Sequence, residues 1–302
     1  MPIPSLDALV ASSPRLATAL RGVDRAAASE APVLILGESG TGRSLLAQLL
    51  HRASARSGGP LVEADLAAIP SELFESELFG HRSGAFTGAH ADNPGRVGRA
   101  EGGTLVLDHV EEIPLASQPK LLRLLAEGRY APLGGGERSA DVRLISIAGP
   151  DLSDRAADGR FRADLFYRLE VLTFRLPPLR RRPDDVTGLA ERLLEDLCAR
   201  IGRPAPRLTP GALDWMREYS WPGNLRQLRN VLERALVLPG GDTLDPPPPD
   251  DLEAAPLPLA DVERREIERA LRYTRGHQGR AAELLGISRK TLWEKRRRYG
   301  LP

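Results

Sequence analysis

The stretch APVLILGESGTGRSLLAQLL, residues 31–50, runs from an apolar segment through a glycine-rich turn into leucines at helical spacing. A short apolar run closed by turn residues reads as a buried strand, and the leucine pattern reads as an amphipathic helix. Between them, GESGTGRS (Gly37–Ser44) has two glycines five apart, then a cation and a hydroxyl. Glycines let backbone N–H groups curl around phosphate oxygens, and the helix that follows points its positive dipole end at them. Gly37, Glu38, Ser39, Gly40, Thr41, Gly42, Arg43 and Ser44 are therefore candidate nucleotide-contacting residues, with Ser44 placed to ligate Mg2+. The cation is Arg43, where such loops usually carry lysine. A guanidinium keeps the charge but is longer, planar and forked, so the exchange is not conservative at a tight phosphate site.

Outward from this loop, apolar β-rich runs (PLVEADL, GTLVLD, VRLISIAG, VLTFRL) alternate with helical patterns as far as about residue 175. That alternation predicts an α/β domain, a parallel sheet flanked by helices. Residues 14–30 read as one amphipathic helix leading into the first strand. From RPDDVTGLAERLLEDLCARIG onward the pattern is helical, so an all-α subdomain is expected over 179–240. The Pro/Asp-rich tract at 241–258 cannot continue a helix and reads as a semi-rigid linker. LADVERREIERALRYTRG and two shorter helical segments complete the chain at 259–302.

Composition narrows the class. With 302 residues, 41% hydrophobic and 27% charged, the chain suits a sizeable domain plus smaller ones. No apolar run reaches the roughly 20 residues needed to cross a bilayer, and the N-terminus lacks a secretory layout. The lone Cys198 excludes an internal disulfide framework and fits a reducing cytoplasm. The net charge is only +1, but Arg275–Gly300 is strongly basic, which points to nucleic acid.

Several motifs then occur in one order: ESELFGHRSGAFTGA (Glu75–Ala89), GGTLVLD, FRADLFYRL (Phe161–Leu169), LPPLRRRPDDV and WPGNLRQLRNVLERA. Together they resemble the AAA+ domain of sigma-54-dependent transcription activators, the NtrC class of bacterial enhancer-binding proteins. The terminal GRAAELLGISRKTLWEKRRRYGL resembles their Fis-type helix-turn-helix. The resemblance covers nearly the whole chain and implies a short tail (1–10), an AAA+ α/β subdomain (11–178), a helical lid, a linker and a DNA-binding domain. With so short a tail, no receiver or ligand-sensing domain is expected, and control would fall to a regulatory protein in trans or to expression.

The implied activity is binding of ATP with Mg2+ in a ring, a hexamer or a mixed ring, which remodels sigma-54 RNA polymerase on double-stranded DNA. Gly84, Ala85, Phe86, Thr87, Gly88 and Ala89 would form the loop that touches sigma-54. Small residues permit an exposed turn there, and the one aromatic serves as an anchor. Arg162 and Arg168 fall where the family reaches a neighbouring subunit's γ-phosphate, and their spacing is expected to leave both near one end of a helix. Arg226 matches a sensor arginine of the lid, and Asp108 with Ser44 would hold Mg2+.

Four positions depart from the pattern. Besides Arg43, His109 stands where the family has a water-polarising glutamate, Gly149 replaces a sensor asparagine, and Asp65 replaces an asparagine that restrains the glutamate. Asp65 and His109 remain able to share one hydrogen bond, and a carboxylate-oriented imidazole can act as a base. Glu111 and Glu112 are expected to point along the following turn. Loss of a water-activating acid costs on the order of 10²–10⁴ in rate, so nucleotide binding with impaired hydrolysis is expected. The active motor and the nucleotide-binding but hydrolysis-deficient regulator both stay open. So does a subunit of a mixed ring that completes a competent neighbour's site.

At the basic end, Ala281, Ala282, Leu284, Leu285, Ile287 and Leu292 are expected to form a small core, with Trp293 packing. Ser288 is placed to cap a recognition helix. Arg289, Lys290 and Thr291 suit groove and phosphate contacts, and Lys295 and Arg296 suit the DNA backbone. His51 is expected on a helix surface and His277 in a loop. Neither has metal-ligand company, so no zinc is expected.

Overall fold

A computed structural model describes residues 13–237, 241–249 and 277–299, together with Glu263, Glu266, Ile267, Ala270, Leu271 and Thr274. The helical reading of 259–276 lies partly outside these residues; Glu263, Glu266, Ile267, Ala270 and Leu271 are helical. Among the described residues no helix is long and apolar enough to cross a membrane.

The chain enters through two short helices, α1 (Pro14–Ala19) and α2 (Val23–Ala28), where the sequence suggested one. Ser13 caps α1 through its Oγ, and Gly22 at φ +82° breaks the path before α2 begins. Strand β1 (Val33–Leu36) leads through the glycine-rich loop into α3 (Arg43–Arg52). There follow β2 (Leu61–Asp65), α4 (Phe74–Phe79), α5 (Gly95–Arg99), β3 (Thr104–Asp108) and α6 (Gln118–Glu127). A two-residue hairpin, β4 (Arg129–Tyr130) with β5 (Arg138–Ser139), precedes β6 (Arg143–Ala148). Helices α7 (Leu152–Ala157) and α8 (Ala163–Leu169) then bring the chain to β7 (Leu172–Arg175).

Five strands form one wholly parallel sheet in the order β2-β3-β6-β1-β7. Alternate side chains leave opposite faces of a strand, and the two cores on either side of the sheet show it. Leu34, Leu36, Leu105, Leu107, Leu144 and Ala148 join one cluster. Val33, Ile35, Val106, Ile145, Ile147 and Phe174 join the other. Burial on both faces is why these strands read as continuous apolar runs.

Two buried polar side chains tie helices to the sheet. Arg143 is 1% exposed and donates to the Ala27 (2.9 Å) and Ala26 (2.6 Å) carbonyls. It thus gives a donor to the Ala27 carbonyl at the end of α2 and a second donor to that of Ala26, which also accepts the Ser29 N–H. His51, expected on the surface, is buried, with Nδ1 2.9 Å from Thr104 Oγ1. A partner on β3 is what lets an imidazole enter the apolar stripe of α3.

The helical subdomain comprises α9 (Pro183–Arg200), α10 (Pro210–Glu218) and α11 (Asn224–Val237), packed around the fully buried Trp221. Trp221 Nε1 donates to the Met216 carbonyl at 2.8 Å. The start of the expected linker is also folded here. Strand β9 (Thr243–Leu244) pairs in parallel with β8 (Arg207–Leu208), Leu244 is buried, and Trp215 Nε1 donates to the Pro246 carbonyl.

A separate C-terminal unit contains α12 (Gln278–Leu284) and α13 (Arg289–Tyr299). Ile267, Ala270, Ala281, Ala282 and Leu292 form its core, with Leu285 and Ile287 partly buried against them. Leu284 and Trp293 are exposed rather than packed. The Trp293 ring lies beneath Arg297 at 5.7 Å.

Arg143→Met keeps the volume but removes both donors, leaving the Ala26 carbonyl with the Ser29 N–H alone. Urea unfolding of the variant is expected to show a loss of roughly 3 kcal/mol with an unchanged slope.

Candidate functional site

Parallel strands present their carboxyl ends on one edge, where open α/β sheets bind ligands. The ends of β1, β3 and β6 bring Gly37, Asp108 and Ala148–Gly149 together there. Gly37 N–H bonds the Ala148 carbonyl at 3.3 Å. Gly40 and Gly42 hold positive φ, +77° and +104°, and so permit the curl of the loop.

Arg43 is turned inward beneath this loop at 8% exposure. Its Nη1 donates to the Gly37 carbonyl at 2.8 Å and to the Ala148 carbonyl at 2.7 Å. Nη2 stands 3.8 Å from Asp108 Oδ1. One nitrogen thus serves both carbonyls, and the fork of the guanidinium leaves the second free to face the carboxylate. Ser44 Oγ, on the exposed side, is 3.4 Å from Asp108 Oδ2, a hydroxyl and a carboxylate facing one space.

His109 follows Asp108 in left-handed geometry, φ +59° and ψ +51°. Its N–H bonds Asp108 Oδ1 at 2.9 Å, which offsets part of the strain of that backbone. Its ring Nδ1 lies 3.0 Å from Asp65 Oδ1. A carboxylate only accepts, so Nδ1 carries the proton and Nε2 is left as the free ring nitrogen. Glu111 does not follow the turn as expected. Its Oε1 crosses to accept from the Gly149 N–H at 3.1 Å.

The helical subdomain grips the loop from the other side. Arg180 donates to both Glu38 oxygens, at 2.6 and 2.5 Å, and Asn224 Nδ2 donates to the Ser39 carbonyl at 3.0 Å. Buried Arg182 donates to the Thr41 carbonyl at 3.3 Å, and Leu225 N–H to the Gly40 carbonyl at 2.9 Å. Arg226 Nη1 reaches Ser39 Oγ at 3.0 Å beside a cleft of about 540 Å³. Sequence reading found Arg226 but not Arg180, Arg182 or Asn224. Their signal was only the cationic run LRRR and a helix-start asparagine, far from the loop in the chain.

The remaining candidates lie apart from this edge. Arg162 precedes α8 and pairs with Asp164, while Arg168 sits in the last turn of α8 and donates to the Leu125 carbonyl. They flank the helix rather than sharing one end of it, and both are exposed. In the Gly84–Ala89 loop, Gly84 N–H bonds the Ala89 carbonyl at 2.8 Å and Ala89 is buried. Phe86 and Thr87 face outward, and the Phe86 ring meets His81 edge-on at 5.0 Å. Asp92 braces the loop entrance by accepting from Ser83 N–H and pairing with Arg82.

In the C-terminal unit, Thr291 N–H donates to Ser288 Oγ at 3.1 Å, so Ser288 caps α13. Arg289 and Lys290 are exposed at the start of that helix. Lys295 is paired with Glu263, so its charge is engaged within the unit; Arg296 is half-buried. Among the described residues no cluster of His, Cys, Asp and Glu is arranged for a metal ion.

Comparison with known proteins agrees with this organisation. The sigma-54 interaction domain model matches residues 9–175, an AAA+ ATPase lid domain model 180–256, and a Fis-family bacterial regulatory protein model 258–299. The chain is 42% identical over 306 residues to the alginate biosynthesis transcriptional regulatory protein AlgB of Pseudomonas aeruginosa, covering 98% of this chain and 68% of AlgB. It is 43% identical over 303 residues to the transcriptional regulatory protein ZraR of Klebsiella oxytoca, covering 95% and 68%. Crystal structures of NtrX from Brucella abortus with ATP and with ADP are similar, at TM-scores of 0.69 and 0.71. Each is 32% identical and covers 96% of this chain and 68% of NtrX.

The Glu38 carboxyl is held below its ordinary 4.5, first by the Arg180 hydrogen bonds, with burial opposing and Asn224 assisting. A depressed acid stabilises the fold fully above its unfolded pKa and loses that contribution as pH falls through the folded value. The stability deficit of Glu38→Gln should therefore be present at neutral pH and shrink progressively below 4.5, as measured by unfolding across pH.

Proposed function

This chain belongs to the sigma-54-dependent transcription activators, and we propose how it works within that family. It binds double-stranded DNA through α13, holds ATP with Mg2+ at the phosphate loop, and touches sigma-54 RNA polymerase through Phe86 and Thr87. In this way it assists open-complex formation with its own hydrolysis impaired. The observation that carries this reading is the imidazole of His109, tied to Asp65, on the sheet edge beside the Ser44–Asp108 pair.

Ser44 and Asp108 fit Mg2+, because a hydroxyl and a carboxylate facing one space are hard oxygen donors of the kind that hold it alongside phosphates. Bound there, the ion would neutralise charge on the phosphate oxygens. The chain's own residues do the rest. Loop N–H groups and the start of α3 bind phosphate, while Arg43 stiffens the loop floor. Asp65 orients the imidazole, leaving Nε2 to accept a proton from water, a weaker arrangement than a carboxylate aimed at the same point.

Arg162 and Arg168 are exposed and held only by local partners. Those bonds are exchangeable, so both side chains are available to a neighbouring subunit's phosphate in a homo-oligomeric or mixed ring. Residues acting on the subunit's own nucleotide are altered, and those acting outward are kept. That asymmetry suits a subunit which completes a competent partner's site.

ATP turnover at ring-forming concentration should fall on the order of 10²–10⁴ below that of a paralogue with lysine and glutamate at positions 43 and 109. His109→Glu should raise it. Mixing the chain with such a paralogue should raise turnover per competent subunit, and the proposal fails if no mixed oligomer forms and turnover is unchanged. Separately, Lys290→Ala should weaken DNA binding similarly across sequences and reduce the salt slope by about one.

A further inference from the structure

Glu111 lies in the turn after β3, and its side chain has no part in the roles above. Oε1 accepts the Gly149 N–H, while Oε2 is buried without a hydrogen-bond partner. A Cβ built on Gly149 would stand 3.4 Å from that Oε1 and 2.7 Å from Asp151 Oδ1. The Glu111 carboxylate therefore lies in van der Waals contact with the space a side chain at 149 would enter, and Asp151 fills that space more closely.

This space adjoins the floor of the phosphate loop. Ala148, one residue earlier, accepts from both Gly37 N–H and Arg43. Arg155 attracts this carboxylate through space but donates no hydrogen bond to it. Arg155, on α7, donates to the main-chain carbonyl of Glu111, to Glu112 Oε1 and to Asp151 Oδ2. Arg43 is engaged by two carbonyls and lies near Asp108. Asp108, Glu112 and Asp151 add negative charge, and His109 is turned to Asp65. A buried carboxylate oxygen with no donor is costly for folding, so a group that approaches it meets an acceptor and a negative charge.

We propose that Glu111 makes this site select nucleoside diphosphate over triphosphate. The inference rests on reading Gly37–Ser44 as the nucleotide site. Loop amides hold the inner phosphates, which both nucleotides share. A metal held by Ser44 and Asp108 would draw the outer phosphates toward the end of β3, on the β3–β6 side of the loop. There the carboxylate repels the charge that distinguishes ATP from ADP. A neutral amide in the same place would remove that repulsion. Glu111→Gln makes that change, leaving the acceptor for Gly149 N–H in place.

The test is competition by ADP, ATP and a non-hydrolysable ATP analogue against a fluorescent nucleotide on the full chain with Mg2+. The wild type is expected to hold ADP about tenfold or more tighter than ATP, the scale of one charged hydrogen-bonding group. Glu111→Gln should abolish that ratio by tightening ATP and its analogue alone, and Glu111→Ala should move it less far in the same direction. The difference between ADP- and ATP-induced shifts in Tm reads the same preference for each variant, whatever its own stability. Equal wild-type affinities, or a variant that moves both nucleotides alike, overturns the role of Glu111. Failure of the wild type to bind either nucleotide overturns the nucleotide-site reading as well.

Discussion

The Arg43 guanidinium, buried under the phosphate loop, joins the first carbonyl of the loop to the last carbonyl of β6. The rest of the site is arranged around that bridge. It fixes the distance between the loop and the β3–β6 edge, and it keeps a positive charge beside Asp108. A charge so enclosed is tolerable because each facing oxygen is an acceptor. The result is a loop held from below by the sheet and from above by Arg180, Arg182 and Asn224 of the helical subdomain.

The two halves of the functional surface have different physical character. Around the phosphate loop, side chains are engaged by one another or by the main chain: Asp65 with His109, Glu111 with the Gly149 N–H, Arg43 with the carbonyls. Toward solvent, Arg162, Arg168, Phe86 and Thr87 stand exposed on short, locally braced segments. Groups locked inward shape what is held, whereas groups left outward remain available to other molecules. The division of labour proposed for this chain follows that contrast.

Much of the architecture was legible because it depends on local pattern. The parallel strands announce themselves as apolar runs, since both faces are covered, and the loop spacing is set by backbone geometry rather than by distant contacts. Phe86 and Ser288 could be placed because their neighbours in sequence determine their surroundings. The failures share one cause, namely dependence on partners remote in the chain. His51 is buried because Thr104 answers it, and Glu111 leaves its turn to meet the Gly149 N–H. Arg180 and Asn224 reach the loop across more than a hundred residues, with no periodicity to betray it. In the C-terminal unit, Leu284 follows the helical apolar pattern and is nevertheless exposed, so spacing alone did not reveal which side of α12 is covered.

The pairing of β9 with β8 fixes where the proline-rich tract departs from the AAA+ region. With Leu244 buried and Trp215 bonded to the Pro246 carbonyl, its first residues are moored to the helical subdomain, not to the sheet. The tether therefore leaves from the element that clasps Glu38. Any swing of that element would carry these moored residues along with it.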